Sequence, residues 1–214
     1  MVTGIILAAG FSRRMGEDKL LLKIDDESII EKVIRASRRS KLDRIILVYR
    51  RDEIKEIGKR YGLRTIHNEN PDLGQSQSKK LGIRESEESE AYMFIVGDQP
   101  FLTKELINRL IEEYKKREFP IIVPYFNGER SMPMIMSSKY KDQLLNVEGD
   151  KGGRNIVKDN PLKVKKVHIE DKEIVMDIDT PEDFEIISKI NLRRWRNGHR
   201  NCKGRWRFRN RCSI

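Results

Sequence analysis

Leu7-Ala8-Ala9-Gly10-Phe11-Ser12-Arg13-Arg14-Met15-Gly16-Glu17-Asp18-Lys19 continues out of an apolar run that begins at Val2. The run reads as a buried strand and the segment after it as a turn with glycines at both ends. Gly10 and Gly16 lack a Cβ, so the backbone there bends sharply and a ligand can approach it closely. Backbone N–H groups in such a loop converge on anions, and Arg14 and Lys19 add fixed positive charge. A nucleoside triphosphate suits that combination. The plainer alternative is a strand-to-helix turn with solvated basic residues. Neither a P-loop, G-x-x-x-x-G-K-[ST], nor a dinucleotide fingerprint, G-x-G-x-x-G, occurs here.

Outward from this turn, strand and helix patterns alternate. Apolar runs at 4–8, 44–49, 92–96 and 120–124 read as buried strands, with a short strand at 64–66. Ile29, Ile30, Val33 and Ile34 recur at helical spacing, as do Leu106, Leu110, Ile111 and Tyr114. The expected fold is a single-domain, three-layer α/β/α unit over residues 1–190, built on a mostly parallel sheet. Ligands in such sheets sit beyond the carboxyl ends of the strands. Residues 126–175 are less regular and are expected to lie over that edge, helping to hold an acceptor substrate. Residues 134–136 and 164–169 read there as strands, 138–145 and 153–158 as helices.

The chain has 214 residues and a formal net charge of +10. Ten basic residues and no acid lie in residues 189–214; removing those ten from the 44 leaves 34 Lys and Arg against 34 Asp and Glu. The body is therefore neutral, and the excess belongs to the tail. Both cysteines, Cys202 and Cys212, and both tryptophans, Trp195 and Trp206, also lie there, so the body has no disulfide, thiol nucleophile or cysteine metal site. Residues 191–214 are expected to be a largely disordered appendage. Nonspecific binding to a nucleic acid such as RNA or to a membrane surface through the Arg, Trp and Phe residues is the alternative. The absence of a long apolar run and of a secretory leader predicts a cytoplasmic protein without a membrane partner.

Two carboxylate segments stand out. Residues 92–96 form a strand that ends in Gly97-Asp98-Gln99-Pro100, which puts Asp98 at its carboxyl end. There it suits Mg²⁺, which takes one or two carboxylates together with substrate phosphates, or it serves as a turn-forming Asp before Pro. In Asp177-Ile178-Asp179-Thr180-Pro181-Glu182-Asp183, Thr180 reads as an N-cap, Pro181 as the first helical residue and Asp183 as the partner in a capping box. Asp177 and Asp179 project to one side of the extended segment before it. They are free for a metal, or they are solvated surface acids.

Leu-Ala-Ala-Gly through Lys19, G-Q-S-Q-S-K-K-L-G-I at 74–83, G-D-Q-P at 97–100, D-K-G-G-R at 150–154 and D-I-D-T-P-E-D at 177–183 follow one another in order. Together they resemble the molybdenum cofactor cytidylyltransferases, over residues 1–188. The resemblance implies an enzyme that moves CMP from CTP to a molybdopterin-type acceptor with Mg²⁺ and releases pyrophosphate, with a molybdoenzyme as client. It implies that Leu7, Ala8, Ala9, Gly10, Arg14 and Lys19 bind the triphosphate and that Ser76 and Ser78 lie at the cytosine. It further implies that Asp98 and Asp179 hold the metal, with Arg14, Lys19 and Asp98 catalytic. Ala9 and Gln99 point to the cytidylyl branch, because guanylyl relatives carry L-A-G-G and G-D-M-P. Lys151 and Arg154 bind the acceptor's phosphate, or they mark a solvated helix start. The family's G-H-P is replaced by Ser131-Met132-Pro133, which bears on acceptor choice. Another phosphorylated acceptor, a sugar or alcohol phosphate, and a non-catalytic cofactor-handing chaperone are the alternatives.

Overall fold

The computed structural model describes residues 1–214 except 87, 148, 150, 151 and 204–214, and gives the backbone alone for 152 and 195–203. In chain order the strands are β1 (Val2–Ala8), β2 (Lys23–Ile24), β3 (Glu27–Ser28), β4 (Arg44–Tyr49) and β5 (Arg64–His67). They continue with β6 (Ala91–Val96), β7 (Ile121–Phe126), β8 (Glu129–Arg130), β9 (Met134–Ser137) and β10 (Val164–His168). The helices are α1 (Ile29–Arg38), α2 (Asp52–Arg60), α3 (Gln75–Arg84), α4 (Lys104–Lys115), α5 (Lys141–Asn146), α6 (Gly152–Asp159) and α7 (Pro181–Lys203).

The main sheet runs β10-β7-β9-β6-β1-β4-β5, with β8 added to β7. β1 pairs parallel with β4 and β6, β4 with β5, and β7 with β10. Within this sheet β9 and β8 run antiparallel to their neighbours, and β2 and β3 form a separate antiparallel pair. All seven residues of β1 are buried, as the innermost strand of a covered sheet requires. Alternation then assigns its side chains to two cores. Val2, Ile6 and Ala8 pack with Ile30 and Val33 of α1, Ile54 of α2, Leu110 of α4 and Ile187 of α7. Ile5 and Leu7 pack on the other face with Ile83 of α3, Leu144 of α5 and Val157 of α6. Helices thus cover both faces, as the alternating pattern predicts.

Two expectations are corrected. Residues 126–175 do not simply lie over the edge of the sheet: β9 is inserted between β6 and β7, and β10 extends the sheet beyond β7. The chain also shows no break at 190. α7 continues to Lys203, and Arg194 is held by Glu173 (2.7 Å) and Asp171 (3.1 Å) and lies over the Phe101 ring. The helix thus runs past the expected boundary as far as Lys203, while Trp206, Phe208 and Cys212 lie outside the described residues. No helix among the described residues is long and apolar enough to cross a membrane.

Candidate active site

The opening turn starts at the carboxyl end of β1, where Leu7, Ala8 and Ala9 are buried and Gly10 is exposed. A Cβ built on Gly10 would meet open space, so no protein contact demands glycine there. The turn holds its own shape. Ser12, in the left-handed region (φ 52°), accepts the Lys19 N–H through its hydroxyl (3.2 Å), and its carbonyl accepts the Met15 N–H (2.9 Å). Asp18 is buried and caps the short turn at 19–21 by accepting from Leu20 N (3.2 Å), while Arg50 reaches its other oxygen (3.3 Å). Lys19 thus leaves a rigid platform, and its ammonium points back across the sheet's edge.

Asp98 follows β6 through Gly97. A Cβ at Gly97 would lie 3.2 Å from the Leu7 carbonyl and 3.1 Å from Ile30 Cδ1, so glycine lets the end of β6 sit tightly against β1. The second aspartate segment is docked on this strand end by two ties. The Ile178 N–H donates to the Asp98 carbonyl (3.2 Å), and the buried Gln99 amide donates to the Val175 carbonyl (3.1 Å). The Ile178 side chain is fully buried between Asp177 and Asp179. A period of two then leaves both carboxylates on the opposite, outer side. The α7 start is satisfied independently: Asp183 Oδ2 accepts from Asp179 N, Thr180 N and Thr180 Oγ1, and Asp183 N donates to Thr180 Oγ1. No cap consumes the Asp179 carboxylate.

These elements converge on Lys19. Its Nζ lies 2.6 Å from Asp98 Oδ2 and 2.9 Å from Asp179 Oδ1, and Arg14 Nη2 lies 2.7 Å from Asp179 Oδ2. Burial works to lower the Lys19 pKa, but the charges of Asp98 and Asp179 outweigh it and hold the ammonium above its ordinary range. Burial works the other way on Asp179, yet Lys19 and Arg14 keep its carboxyl below the usual range. The Asp177 carboxyl is pushed up by lost solvation and by the charges of Asp98 and Asp179. The residue as a whole is exposed, so crowding by its two neighbours is the physically stronger cause. Asp98 Oδ1 is buried and has no hydrogen-bond partner among the described residues. Those residues contain no ready-made group of three or more His, Cys, Asp or Glu ligands. Two carboxylates that share a cation with phosphate oxygens fit that chemistry, since Mg²⁺ is commonly bound this way.

The remaining predicted residues lie apart from this network. Ser76 and Ser78 are buried on α3, where Ser76 Oγ donates to the Leu73 carbonyl (3.3 Å) and Ser78 Oγ accepts from Asn68 (3.0 Å). Arg154 is exposed on α6, and its carbonyl accepts from Arg130 (3.0 Å). Lys151 lies outside the described residues. Gln99 is turned inward onto the 172–175 turn, so it shapes the docking of Asp177 and Asp179 rather than an open base pocket. The sequence reading gave no role to Asp18, Arg50 or Phe11. The guanidiniums of Arg13 (5.1 Å) and Arg50 (4.9 Å) both lie near the Phe11 ring, which lines a cavity of about 220 Å³ together with Asp18 and Arg51. An Asp directly before Lys-Leu-Leu was the readable signal for a cap at position 18. A larger hollow of about 500 Å³, lined by Arg38, Arg44 and Arg64, opens at the amino ends of β4 and β5, away from this chemistry.

Residues 4–166 match the family described as MobA-like NTP transferase domain. The chain belongs to this family. It is therefore a nucleotidyltransferase, with a nucleoside triphosphate and a phosphorylated acceptor as the family's substrates. It is 28% identical over 200 residues to the Purine catabolism protein PucB of Bacillus subtilis, covering 87% of this chain and 95% of that protein. It is 31% identical to a probable molybdenum cofactor guanylyltransferase of Natranaerobius thermophilus (86% and 93% covered) and 30% identical to the molybdenum cofactor cytidylyltransferase of Escherichia coli (84% and 92%). Among solved structures, the Mycobacterium sp. strain JC1 homolog of Mycobacterium tuberculosis Rv0371c superposes with a TM-score of 0.78 at 27% identity, over 90% of this chain and 97% of that one. Rv0371c itself, solved in complex with manganese, gives a TM-score of 0.75 at 20% identity over 88% and 98%.

Proposed function

We propose that this MobA-like NTP transferase moves CMP from CTP to a molybdopterin-type acceptor and releases pyrophosphate. The observation that carries the reading is the meeting of Asp98 and Asp179 beside Lys19 and Arg14 at the end of the opening turn. The exposed Gly10, which no internal contact requires, leaves the backbone open to a triphosphate. Arg14 and Lys19 neutralise the phosphates that leave as pyrophosphate. Leu7, Ala8 and Ala9 carry the backbone to that position, and Ser76 and Ser78 at the start of α3 are assigned to the base. Asp98 and Asp179 would hold Mg²⁺, whose chemistry is to draw charge from the α- and β-phosphate oxygens. The buried Asp98 Oδ1, without a partner among the described residues, and the manganese of a structural neighbour support a divalent ion there.

The acceptor's phosphate oxygen is already ionised at neutral pH, so no general base is needed and positioning supplies most of the rest. Lys151, outside the described residues, and Arg154, in the first turn of α6, are assigned to the acceptor's phosphate. The Cβ of the buried Ala9, where guanylyl relatives carry glycine, supports a pyrimidine at the base pocket. Residues 191–214 are assigned no part in turnover. The test is pyrophosphate release with each of the four triphosphates, Mg²⁺ and molybdopterin-type acceptor. CTP is expected to be preferred; release with GTP alone, or only with a sugar or alcohol phosphate, overturns the assignment.

A further inference from the structure

Resting on the metal assignment just made, we propose that Lys19 is a resident counter-ion that keeps the divalent-cation position closed until a triphosphate draws it away. The metal then enters with the nucleotide and not before it. Three of the four oxygens of Asp98 and Asp179 are paired with side-chain cations, two with Lys19 and one with Arg14. The Lys19 and Asp98 side chains are only 13% and 18% exposed, so water screens this pair weakly. An ammonium 2.6 Å and 2.9 Å from the two carboxylates occupies the ground a shared metal ion must take. Metal–oxygen bonds of roughly 2.0–2.1 Å leave no room for both.

Arg14 does not close the site in the same way, because it reaches only the outer oxygen of Asp179 and leaves Asp98 untouched. The Lys19 backbone is fixed by the Ser12 hydroxyl and by the Asp18 cap, so release requires a rotation of its side chain and no movement of the turn. A triphosphate on the turn offers that ammonium new anionic partners, after which the two carboxylates face each other unneutralised and a divalent ion is drawn in. Binding of metal and nucleotide is then coupled through one lysine, and reciprocally so.

The test is a Mn²⁺ titration of the full chain without nucleotide, read by electron paramagnetic resonance. Lys19→Gln is expected to bind Mn²⁺ at least tenfold more tightly than the wild type. Lys19→Arg, which keeps the charge, is expected to stay as weak as the wild type, and Asp98→Asn combined with Lys19→Gln is expected to lose the gain. Equal Mn²⁺ affinity in the wild type and Lys19→Gln overturns the proposal. Should Lys19→Gln not fold, the wild type decides: Mn²⁺ alone is expected to leave its melting temperature unchanged, and a rise equal to that with Mn²⁺ and a non-hydrolysable CTP analogue overturns the proposal. None of these readouts uses turnover. Failure here with intact CTP turnover removes the counter-ion role alone; absence of turnover with every triphosphate removes the transferase assignment.

Discussion

Ile178→Ala separates positioning of the two aspartates from their charge. The residue is fully buried, its N–H holds the Asp98 carbonyl, and the flanking carboxylates are aimed outward because its side chain is aimed inward. The change removes three carbons from a closed core. At about 0.8 kcal/mol per buried CH₂ the transfer loss is about 2.5 kcal/mol. The cavity left behind adds to it, within the roughly 2–5 kcal/mol typical of Ile→Ala. For a chain of this size that lowers the melting temperature by roughly 5–20 °C, at about 2–4 °C per kcal/mol. Ile178→Val, one carbon smaller, is expected to cost only about 0.5–1.5 kcal/mol. Urea unfolding gives the stability, with an unchanged slope as the check that the folded and unfolded states are comparable. Turnover well below the melting temperature gives the second readout: it is expected to fall at least tenfold in Ile178→Ala and to stay near normal in Ile178→Val. Full turnover in a folded but destabilised Ile178→Ala protein would refute the claim that this side chain sets the aspartates.

Gly97→Ala places a Cβ against the Leu7 carbonyl and Ile30; it is expected to cost about 1–3 kcal/mol by overpacking and to reduce turnover, and wild-type stability in urea counts against the tight β1–β6 approach. Asp177 and Asp179 are expected to respond to pH with opposite signs. The Asp177 carboxyl is raised in the folded state, so its ionisation weakens the fold at neutral pH, and Asp177→Asn is expected to raise the ligand-free melting temperature at pH 7, with the gain vanishing as pH falls below the ordinary 3.8. The Asp179 carboxyl is lowered, so its stabilisation is present above 3.8 and lost as pH falls through its folded value; Asp179→Asn is expected to lose stability at pH 7 and nothing in strong acid. Identical pH profiles of melting for the two variants refute this. Ending the chain after Ile190 removes the Arg194 contacts with Asp171, Glu173 and Phe101. It is expected to cost about 0.5–2 kcal/mol with turnover retained, which calorimetry and pyrophosphate release check.

The parts of the site legible in the sequence are those fixed by local rules. β1 reads as buried because all its residues are apolar or small, and Thr180-Pro181-Glu182-Asp183 reads as a helix start because its donors and acceptor lie within four residues. The capping box also shows that the carboxylate of Asp179 is spare. The direction of β9 is not legible: Met134-Ile135-Met136-Ser137 is buried throughout, and a uniformly buried strand has the same pattern whether it runs parallel or antiparallel. Its partners are far off along the chain, so pairing is decided by the packed sheet and not by the segment. The roles of Gln99 and Ser78 are hidden for the same reason. Their partners, Val175 and Asn68, are brought in by tertiary packing. The helical pattern of α7 was obscured by the change in composition at 191, where the excess of arginine suggests an appendage although the backbone continues unbroken.

The charge balance at the strand ends explains why one lysine is central. Lys19 pairs with Asp98 and Asp179, Arg14 with Asp179 alone, and Asp177 feels the charges of both aspartates. A triphosphate arriving alone would take Lys19 and Arg14 from the aspartates and add its own negative charge within a few ångströms of them. On the proposed metal assignment, a divalent cation delivered to Asp98 and Asp179 in the same event offsets both losses. A metal arriving alone would meet the Lys19 ammonium instead. On the proposed assignment, nucleotide and metal each lack a stable place without the other, and Lys19 and Arg14 select the metal–nucleotide pair as the species that binds.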